Sequence, residues 1–279
     1  YAAGYASALA ASEGTTVRKI DVEQLQRHLA DIGTIPEELI GAKDSYPLSE
    51  AQIQAAVASV GRDYTGIAQI LTQPETALPL LREAHNRAED ETVRLRYAHV
   101  LGMLRDGTGV ETLIQAVAKA KWDKGYNFSG FGNHQLTSSP LDDVIIALGR
   151  TGDARAMDVL IEKARQLTPA SDFSHFRALA VAFESIRDPR AAEPLARLLR
   201  MPGFGGHAFR EIQDVIQRTP GGLGDNSTRN VSLRELILAR ALYRCGDHEE
   251  LGKKTLEAYR TDFRGHYATH ARAILAERK

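Results

Sequence analysis

The fold of this chain is decided by residues 141–200, whose sequence is LDDVIIALGRTGDARAMDVLIEKARQLTPASDFSHFRALAVAFESIRDPRAAEPLARLLR. Apolar residues recur there with the spacing of an amphipathic helix, and four such runs follow one another. The second pair of runs repeats the first at an offset of 35 residues. The matched positions are Asp153 with Asp188, Arg155 with Arg190 and Leu160 with Leu195. A period of this length predicts stacked helical hairpins, in which each hairpin buries its apolar face only against its neighbours.

The turn inside each hairpin has a local physical reason. Asp188 is placed to cap the second helix, and Pro189 suits the first helical position, where no backbone N–H is needed. This Asp-Pro-Arg-Ala turn resembles the turns of HEAT-like repeats. The periodicity therefore predicts an all-α fold, an α-solenoid, and the resemblance implies that its hairpins are HEAT-like.

The same pattern extends over residues 46–279, for which we predict a HEAT-like repeat domain of about five hairpins. Two insertions interrupt the period, at residues 122–140 and 201–232. The remaining helices are expected at 49–60, 61–72, 74–87, 93–104, 110–120, 233–244 and 249–259. From Ala268 the tail begins a further helix, which we expect to cap the stack.

Composition limits the classes of function. The chain has 279 residues, 43% of them hydrophobic, and Lys+Arg 35 balance Asp+Glu 36, so no basic excess favours nucleic acid as a partner. The single Cys245 excludes an internal disulfide and a Cys-based metal cluster. No apolar run is long enough for a membrane span and no targeting segment is present, so we expect a soluble protein. Because the chain begins with Tyr1 rather than Met, we expect a processed product or a fragment.

Residues 1–45 differ from the repeats. The first twelve residues, YAAGYASALAAS, form a run of small side chains that predicts a helix able to lie close to another backbone or a ligand. Asp21 is placed to cap a second helix, which Gly33 ends. The predicted buried stripe of that helix is Val22, Leu25 and Leu29.

This segment resembles the C-terminal end of the FAD-binding domain in a family of bacterial FAD-dependent oxidoreductases. In that family a Gly-x-Ala-Ala-Gly-x-Ala-Ala-Ala-Leu-Ala helix precedes an Ile-Asp-x-x-x-Leu-Gln-x-x-Leu helix and a glycine. The matching residues are Ala2, Ala3, Gly4, Ala6, Ala8, Leu9, Ala10, Ile20, Asp21, Leu25, Gln26, Leu29 and Gly33. The resemblance covers residues 1 to about 40 and extends over two helices and their linker.

The resemblance implies that the N-terminus of the first helix faces the flavin. Free N–H groups and the positive end of the helix dipole suit a pyrophosphate or a flavin carbonyl oxygen. The residues nearest FAD would be Ala2, Ala3, Gly4 and Tyr5. The chain has no Gly-x-Gly-x-x-Gly after a strand, so we expect FAD not to be bound by this chain alone. Its partner would then be an N-terminal flavin-binding part, in the same protein or another. The alternative is an Ala-rich helix that only packs closely on its neighbour.

Each junction between hairpins carries a Phe and a His close together. The pairs are Phe131 with His134, Phe204 with His207, Phe263 with His266, and Phe173 with His175. Equivalent junctions fall along one edge of a stack, so the histidines would form a row able to bind a metal or move protons. The alternative is structural: each Phe fills the gap between hairpins and each His caps a helix.

Aromatic residues are concentrated in the first insertion, and long loops in compact repeats are often functional. Together with the junction histidines they form a candidate partner surface: Trp122, Tyr126, Phe128, Phe131, His134, His175, His207 and His266. The alternative is a loop that folds over the end of its own repeat.

Three functions follow from these patterns. The first is the C-terminal repeat region of an FAD-dependent oxidoreductase, a scaffold or docking domain for a flavin-binding part outside this chain. The second is a non-enzymatic interaction module. The third is a metal or hydrolytic enzyme built on the loop histidines, for which the sequence offers no complete set of catalytic residues.

Overall fold

A computed structural model describes residues 1–42, 46–127, 137–218 and 228–277. These ranges form α-helices, a few short 3₁₀ turns and connecting loops, with no β-strand among the described residues. The helices are α1 (Ala2–Ser12), α2 (Val22–Asp31), α3 (Glu50–Val60), α4 (Ile67–Thr72), α5 (Pro74–Arg87), α6 (Glu91–Met103), α7 (Val110–Lys119), α8 (Pro140–Arg150), α9 (Met157–Gln166), α10 (Phe173–Ile186), α11 (Ala192–Leu199), α12 (Ile212–Arg218), α13 (Arg229–Arg244), α14 (Leu251–Tyr259) and α15 (Gly265–Ala276). The predicted all-α fold is confirmed.

The chain divides into two compact units, Tyr1–Leu48 and Ser49–Lys279. In the first unit, α1 packs on α2. Asp21 caps α2 as predicted, because its carboxylate accepts hydrogen bonds from the backbone N–H groups of Glu23 and Gln24. The core of this unit is small: Ala6, Leu9, Ala10 and Ile20.

The predicted stripe of α2 is only partly buried. Leu29 is buried and Leu25 packs against the core of the first unit, but Val22 is 59% exposed. Val22 is the first residue after the Asp21 cap, and the small core reaches Leu25 without covering this end of the helix.

The second unit is a stack of hairpins in two layers. One layer, here called the first layer, consists of α3, α6, α8, α10, α13 and α15, each packed on the next. The other layer supplies the hairpin partners, α5 (with the short α4), α7, α9, α11 and α14. Five hairpins result within the described residues, and α15 packs on α13 and α14.

The 35-residue repeat is visible in the turns. Asp153 accepts the backbone N–H of Arg155, and Asp188 accepts that of Arg190. In each turn the arginine also folds back on its aspartate, at 2.7 Å in the first and 2.8 Å in the second. The matched residues therefore form the same local structure.

Small residues bring the first-layer helices together. A Cβ atom added to Gly149 on α8 would lie 2.2 Å from the Cα of Ala182 on α10. On the other side, a Cβ on Gly102 of α6 would lie 2.6 Å from the backbone oxygen of Ala147 on α8. These contacts leave no room for a side chain, so α6, α8 and α10 pack with their backbones close.

Two boundaries differ from the predictions. The second insertion contains an additional helix, α12, whose Ile212 and Ile216 are 64% and 62% exposed, so it lacks the buried face that marks a repeat helix. Helix α13 begins at Arg229, within the predicted insertion, because buried polar contacts of Ser232 and Glu235 extend its first turns.

Candidate functional site

The start of the first insertion is fixed on the N-terminus of α10. The N–H of Gly125 donates to Asp172 Oδ2 at 3.0 Å, and the N–H of Tyr126 donates to Ser174 Oγ at 3.0 Å. In return the N–H of Ser174 donates to the carbonyl oxygen of Tyr126 at 3.0 Å. The insertion thus satisfies the free N–H groups at the beginning of a helix.

Further bonds connect the insertion to both neighbouring helices. Asn127 Nδ2 donates to Asp172 Oδ1 at 2.6 Å, while Asn127 Oδ1 accepts the N–H of Phe173 at 2.9 Å. On the other side, the N–H of Leu141 on α8 donates to Asp123 Oδ2 at 3.1 Å. We call residues 122–127, with the α8 and α10 residues that bind them, the first clasp.

His175 lies at the centre of the first clasp and is 3% exposed. Its Nδ1 is 2.8 Å from Asp142 Oδ1, and its Nε2 is 3.2 Å from the backbone oxygen of Asp123. A carboxylate and a carbonyl oxygen only accept hydrogen bonds, so both ring nitrogens must donate. The arrangement therefore favours the protonated imidazolium form.

The charged form of His175 stabilises the charged form of Asp142, and the reverse is also true. Burial alone lowers the pKa of His175, but the hydrogen bond to Asp142 and the negative charge of that carboxylate outweigh it, so the pKa is raised. Burial alone raises the pKa of Asp142, but hydrogen bonds from His175 and from the Ser139 N–H lower it below its usual value. Both shifts favour a buried ion pair between α8 and α10.

Trp122 covers the clasp. Its ring lies 4.4 Å from the His175 ring, centroid to centroid, and Lys163 Nζ lies 5.9 Å from the Trp122 ring. Lys163, on α9, also donates to the backbone oxygen of Ala120, and burial lowers its pKa. Two cations thus lie near one indole ring, an arrangement that the ring's negative face stabilises.

The second insertion is held in a similar way, at α13 and α15. The N–H groups of Gly206 and His207 donate to the two carboxylate oxygens of Glu235, at 2.8 and 2.9 Å. The Tyr259 hydroxyl donates to Glu235 Oε2 at 2.8 Å, and burial raises the pKa of that hydroxyl. The N–H of Phe209 donates to Asp262 Oδ2 at 2.8 Å.

Arg264 occupies the centre of this arrangement, which we call the second clasp. Its Nη2 donates to the backbone oxygen of His207 and to Asp262 Oδ2, each at 2.7 Å, and its Nη1 donates to Ser232 Oγ at 2.7 Å. The guanidinium lies 3.8 Å from the Phe209 ring and 4.5 Å from the Tyr267 ring. A cation between an insertion carbonyl and a buried carboxylate is therefore common to both clasps.

The predicted junction histidines have different surroundings. His175 is in the buried ion pair, whereas His207 is half-buried with its Nε2 3.0 Å from the oxygen of Gly203. His266 is exposed and lies against Tyr267, with ring centroids 4.0 Å apart. His134, Phe128 and Phe131 lie outside the described residues. No group of three or more potential metal-ligating side chains occurs in the described ranges.

The junction phenylalanines also differ. Phe173 and Phe204 are buried, and Phe204 lies edge-on to Phe176 with centroids 5.0 Å apart. Phe263 is 58% exposed and does not fill a gap. Phe209, only 1% exposed, packs at that junction instead, because the second insertion returns its backbone to Asp262.

Two aromatic residues of the candidate surface contact their own repeats. Trp122 and Tyr126 are half-buried in the first clasp, although the indole Nε1 is buried without a hydrogen-bond partner among the described residues. In the first unit, Ala2, Ala3 and Gly4 are exposed at the start of α1. Tyr5 is half-buried and stacks on His28, with ring centroids 3.7 Å apart.

The residues missed by sequence reasoning are Asp142, Glu235, Asp262 and Arg264. A Ser139-x-x-Asp142 capping box is readable in the sequence and is present in the structure. The pairing of Asp142 with a histidine 33 positions away has no local signal. Cys245 is buried, and burial raises the pKa of its thiol to about 12.

Comparisons with known proteins give one partial similarity. No family model matches the chain, and no solved structure matches it. A phosphoglucosamine mutase from Levilactobacillus brevis is 30% identical over 98 residues, which are 34% of this chain and 22% of that enzyme. The chain thus spans less than a quarter of the curated protein it matches, and this match shows no family.

No helix in the described ranges combines the length and apolar character needed to cross a bilayer.

Proposed function

We propose that this chain is the helical-repeat part of an FAD-dependent oxidoreductase. Residues 1–48 would pack on a flavin-binding part, and the repeats of residues 49–279 would serve as the scaffold to which that part docks. One observation carries the proposal: large exposed apolar side chains are concentrated in the first unit.

Six of the eleven most exposed large apolar residues in the described ranges belong to the first 48 residues. They are Tyr1, Val17, Val22, Ile32, Leu39 and Tyr46. Among the described residues of the same unit only five apolar side chains are buried, four of them in one cluster. A unit of this size with so small a core gains too little from burial to be stable by itself, so it calls for an apolar partner.

The start of α1 supports a flavin-binding partner. Tyr1 provides no side-chain cap, so the first N–H groups of this 11-residue helix remain available to an anion. A Cβ atom on Gly4 would meet nothing within 4 Å, so a ligand has room to approach. These properties match the role that the resemblance implies for Ala2, Ala3, Gly4 and Tyr5.

The test uses the native polypeptide that contains this chain. We expect it to carry FAD, seen as a visible flavin absorbance band, whereas the 279-residue chain alone carries none. Gly4→Glu would place a negative charge at the helix start and strongly reduce the flavin content. Ala8→Glu, at an exposed position one turn later, is the matched control and should retain the flavin.

Two results would overturn the proposal. One is a flavin band in the purified 279-residue chain by itself. The other is a native protein of this length that contains no flavin and gains none from a second chain.

A non-enzymatic interaction module is the second candidate. It is favoured by exposed apolar residues, namely Ile212 and Ile216 in the second insertion and Phe263, whose N–H donates to the Phe209 oxygen of that insertion; the three are 58–64% exposed. If it is correct, Ile212→Lys with Ile216→Lys would abolish partner binding, while Gly4→Glu would leave it unchanged. Binding that survives the double substitution would remove this candidate.

A further inference from the structure

The two clasps use different cations for a similar contact. In each clasp a cation bridges a backbone oxygen of the insertion and a carboxylate of the repeats. The first clasp uses His175, whose charge changes within the physiological range, and the second uses Arg264, which stays charged. One of the bonds that hold residues 122–127 can therefore be removed by a change of pH.

Charged groups reach His175 from several elements. Asp142 on α8 and Asp123 in the insertion are in direct contact through the bonds described above. Asp172, the N-cap of α10, binds the insertion beside it, and Lys163 on α9 lies across the Trp122 ring. From α13, Arg234 approaches the ring of Phe176, the next residue in the chain, at 5.5 Å.

We propose that His175 is a protonation switch, in which its imidazolium adds a bond that holds residues 122–127 beside α10, and loss of one proton removes that bond and weakens their attachment. A neutral imidazole has one N–H and one lone pair. The N–H remains on Nδ1 because Asp142 stays charged, so the proton leaves Nε2 to solvent. The Nε2 lone pair then faces the carbonyl oxygen of Asp123, and an attractive contact becomes a repulsive one.

Loss of this contact weakens the packing of the Trp122 side chain, which covers the first clasp. The indole of Trp122 loses one of its two neighbouring cations, and Trp122 and Tyr126 become more accessible on the surface of the repeats. Residues 206–209 of the second clasp stay attached, because Arg264 does not titrate in this range. At alkaline pH residues 122–127 would thus be loosened while residues 206–209 remain bound.

The chain contains a probe for this switch, because Trp122 is its single tryptophan. A protonated histidine quenches a neighbouring indole, so we expect the fluorescence of the full chain to rise as His175 loses its proton. The midpoint should lie above the ordinary histidine value of 6.5, since the Asp142 contact stabilises the imidazolium. His175→Gln should abolish the transition, whereas His266→Gln, exposed against Tyr267, should retain it.

Lys163 is the other cation near Trp122, and Lys163→Gln separates its titration from that of His175. A transition that remains in this variant belongs to His175. A midpoint at or below 6.5, or an unchanged transition in His175→Gln, would overturn the proposal.

A second measurement needs no variant. Hydrogen-exchange protection factors, corrected for the intrinsic effect of pH, should fall for the amides of Gly125 and Tyr126 as pH rises through the fluorescence midpoint. The amides of Gly206 and His207, bound to Glu235, should keep their protection. Equal behaviour of the two pairs would refute the switch even if His175→Gln failed to fold.

Discussion

The two insertions of this repeat stack are attached to the helices through different cations. Each returns its backbone to the N-termini of first-layer helices, where carboxylates accept its N–H groups. The second clasp is held by a guanidinium with three hydrogen-bonded partners and two aromatic faces. The first is held by an imidazolium with two partners and one indole.

The difference shows how a repeat protein combines an insertion whose attachment is independent of pH with one whose attachment depends on pH. Arginine offers a fork of donors and a charge that does not titrate, so the second clasp persists at any physiological pH. Histidine holds its loop only while it carries a second proton. The two clasps therefore attach their insertions in a similar way but respond differently to a change of pH.

The largest expected effect is at Arg264. Arg264→Ala leaves the 4%-exposed carboxylate of Asp262 without its charged partner and removes two aromatic contacts. Removal of one member of a buried ion pair costs about 3–5 kcal/mol, so we expect a loss of this size in the free energy of unfolding, measured in urea. Arg210→Ala, at an exposed position in the same insertion, should change it by less than about 0.5 kcal/mol. Equal losses would show that the second clasp is not a stabilising centre.

A smaller effect is expected at His175. His175→Ala leaves Asp142 buried without the imidazolium, but Asp142 keeps the hydrogen bond from the Ser139 N–H. Removal of one member of a buried ion pair costs about 3–5 kcal/mol, and because of the remaining bond we expect a loss near the lower end of that range in the same urea experiment at pH 6. The exposed His266→Ala serves as control. A loss larger than that of Arg264→Ala would reverse the ranking of the two clasps.

The pH dependence of stability separates the clasps further. Because the folded pKa of His175 is raised, its contribution is complete below about 6.5 and is lost as pH rises through the folded value. Because the pKa of Asp142 is lowered, its contribution is present above 3.8 and is lost as pH falls through the folded value. We expect the free energy of unfolding of the wild type to fall on the alkaline side, and this fall to be reduced in His175→Gln. Identical alkaline slopes would contradict the imidazolium assignment.

The smallest effect is expected at Asn127, whose side chain makes two hydrogen bonds in an exposed part of the first clasp. Asn127→Ala should cost about 0.5–1.5 kcal/mol and increase proteolysis near residues 122–127. Lys124→Ala, at an exposed neighbour, should leave both unchanged. Increased cleavage at the second insertion instead would indicate that the two clasps are coupled.

The sequence predicted the stack because the relevant signals are local. The apolar spacing of residues 141–200 and the matched aspartates at 153 and 188 depend only on helical periodicity and on capping within a few positions. The limits of Pro74–Arg87 were predicted for the same reason, with Pro74 at the start of the helix. The FAD-related role of Ala2 to Tyr5 stays a prediction, since it depends on a part that this chain does not contain.

The clasps could not be predicted from the sequence. The pairs of His175 with Asp142 and of Arg264 with the His207 carbonyl join residues 33 and 57 positions apart. Asp142 completes a capping box with Ser139, which is a local pattern, yet it is also the buried partner of a histidine. The similar Phe-x-x-His spacing at the junctions gave no indication that Phe263 is exposed and that Phe209 is buried at that junction instead.

The sequence by itself determined the helical period, the turns and the all-α class, since each follows from contacts within about one helical turn. Only the tertiary structure decided which junction residues carry a charge in the interior. That outcome depends on which carboxylate and which carbonyl oxygen the stacking of helices brings within hydrogen-bond distance, and on how far burial removes water from them. Histidine therefore occurs in both situations. His266 is exposed against the Tyr267 ring, and His175 forms a buried ion pair with Asp142.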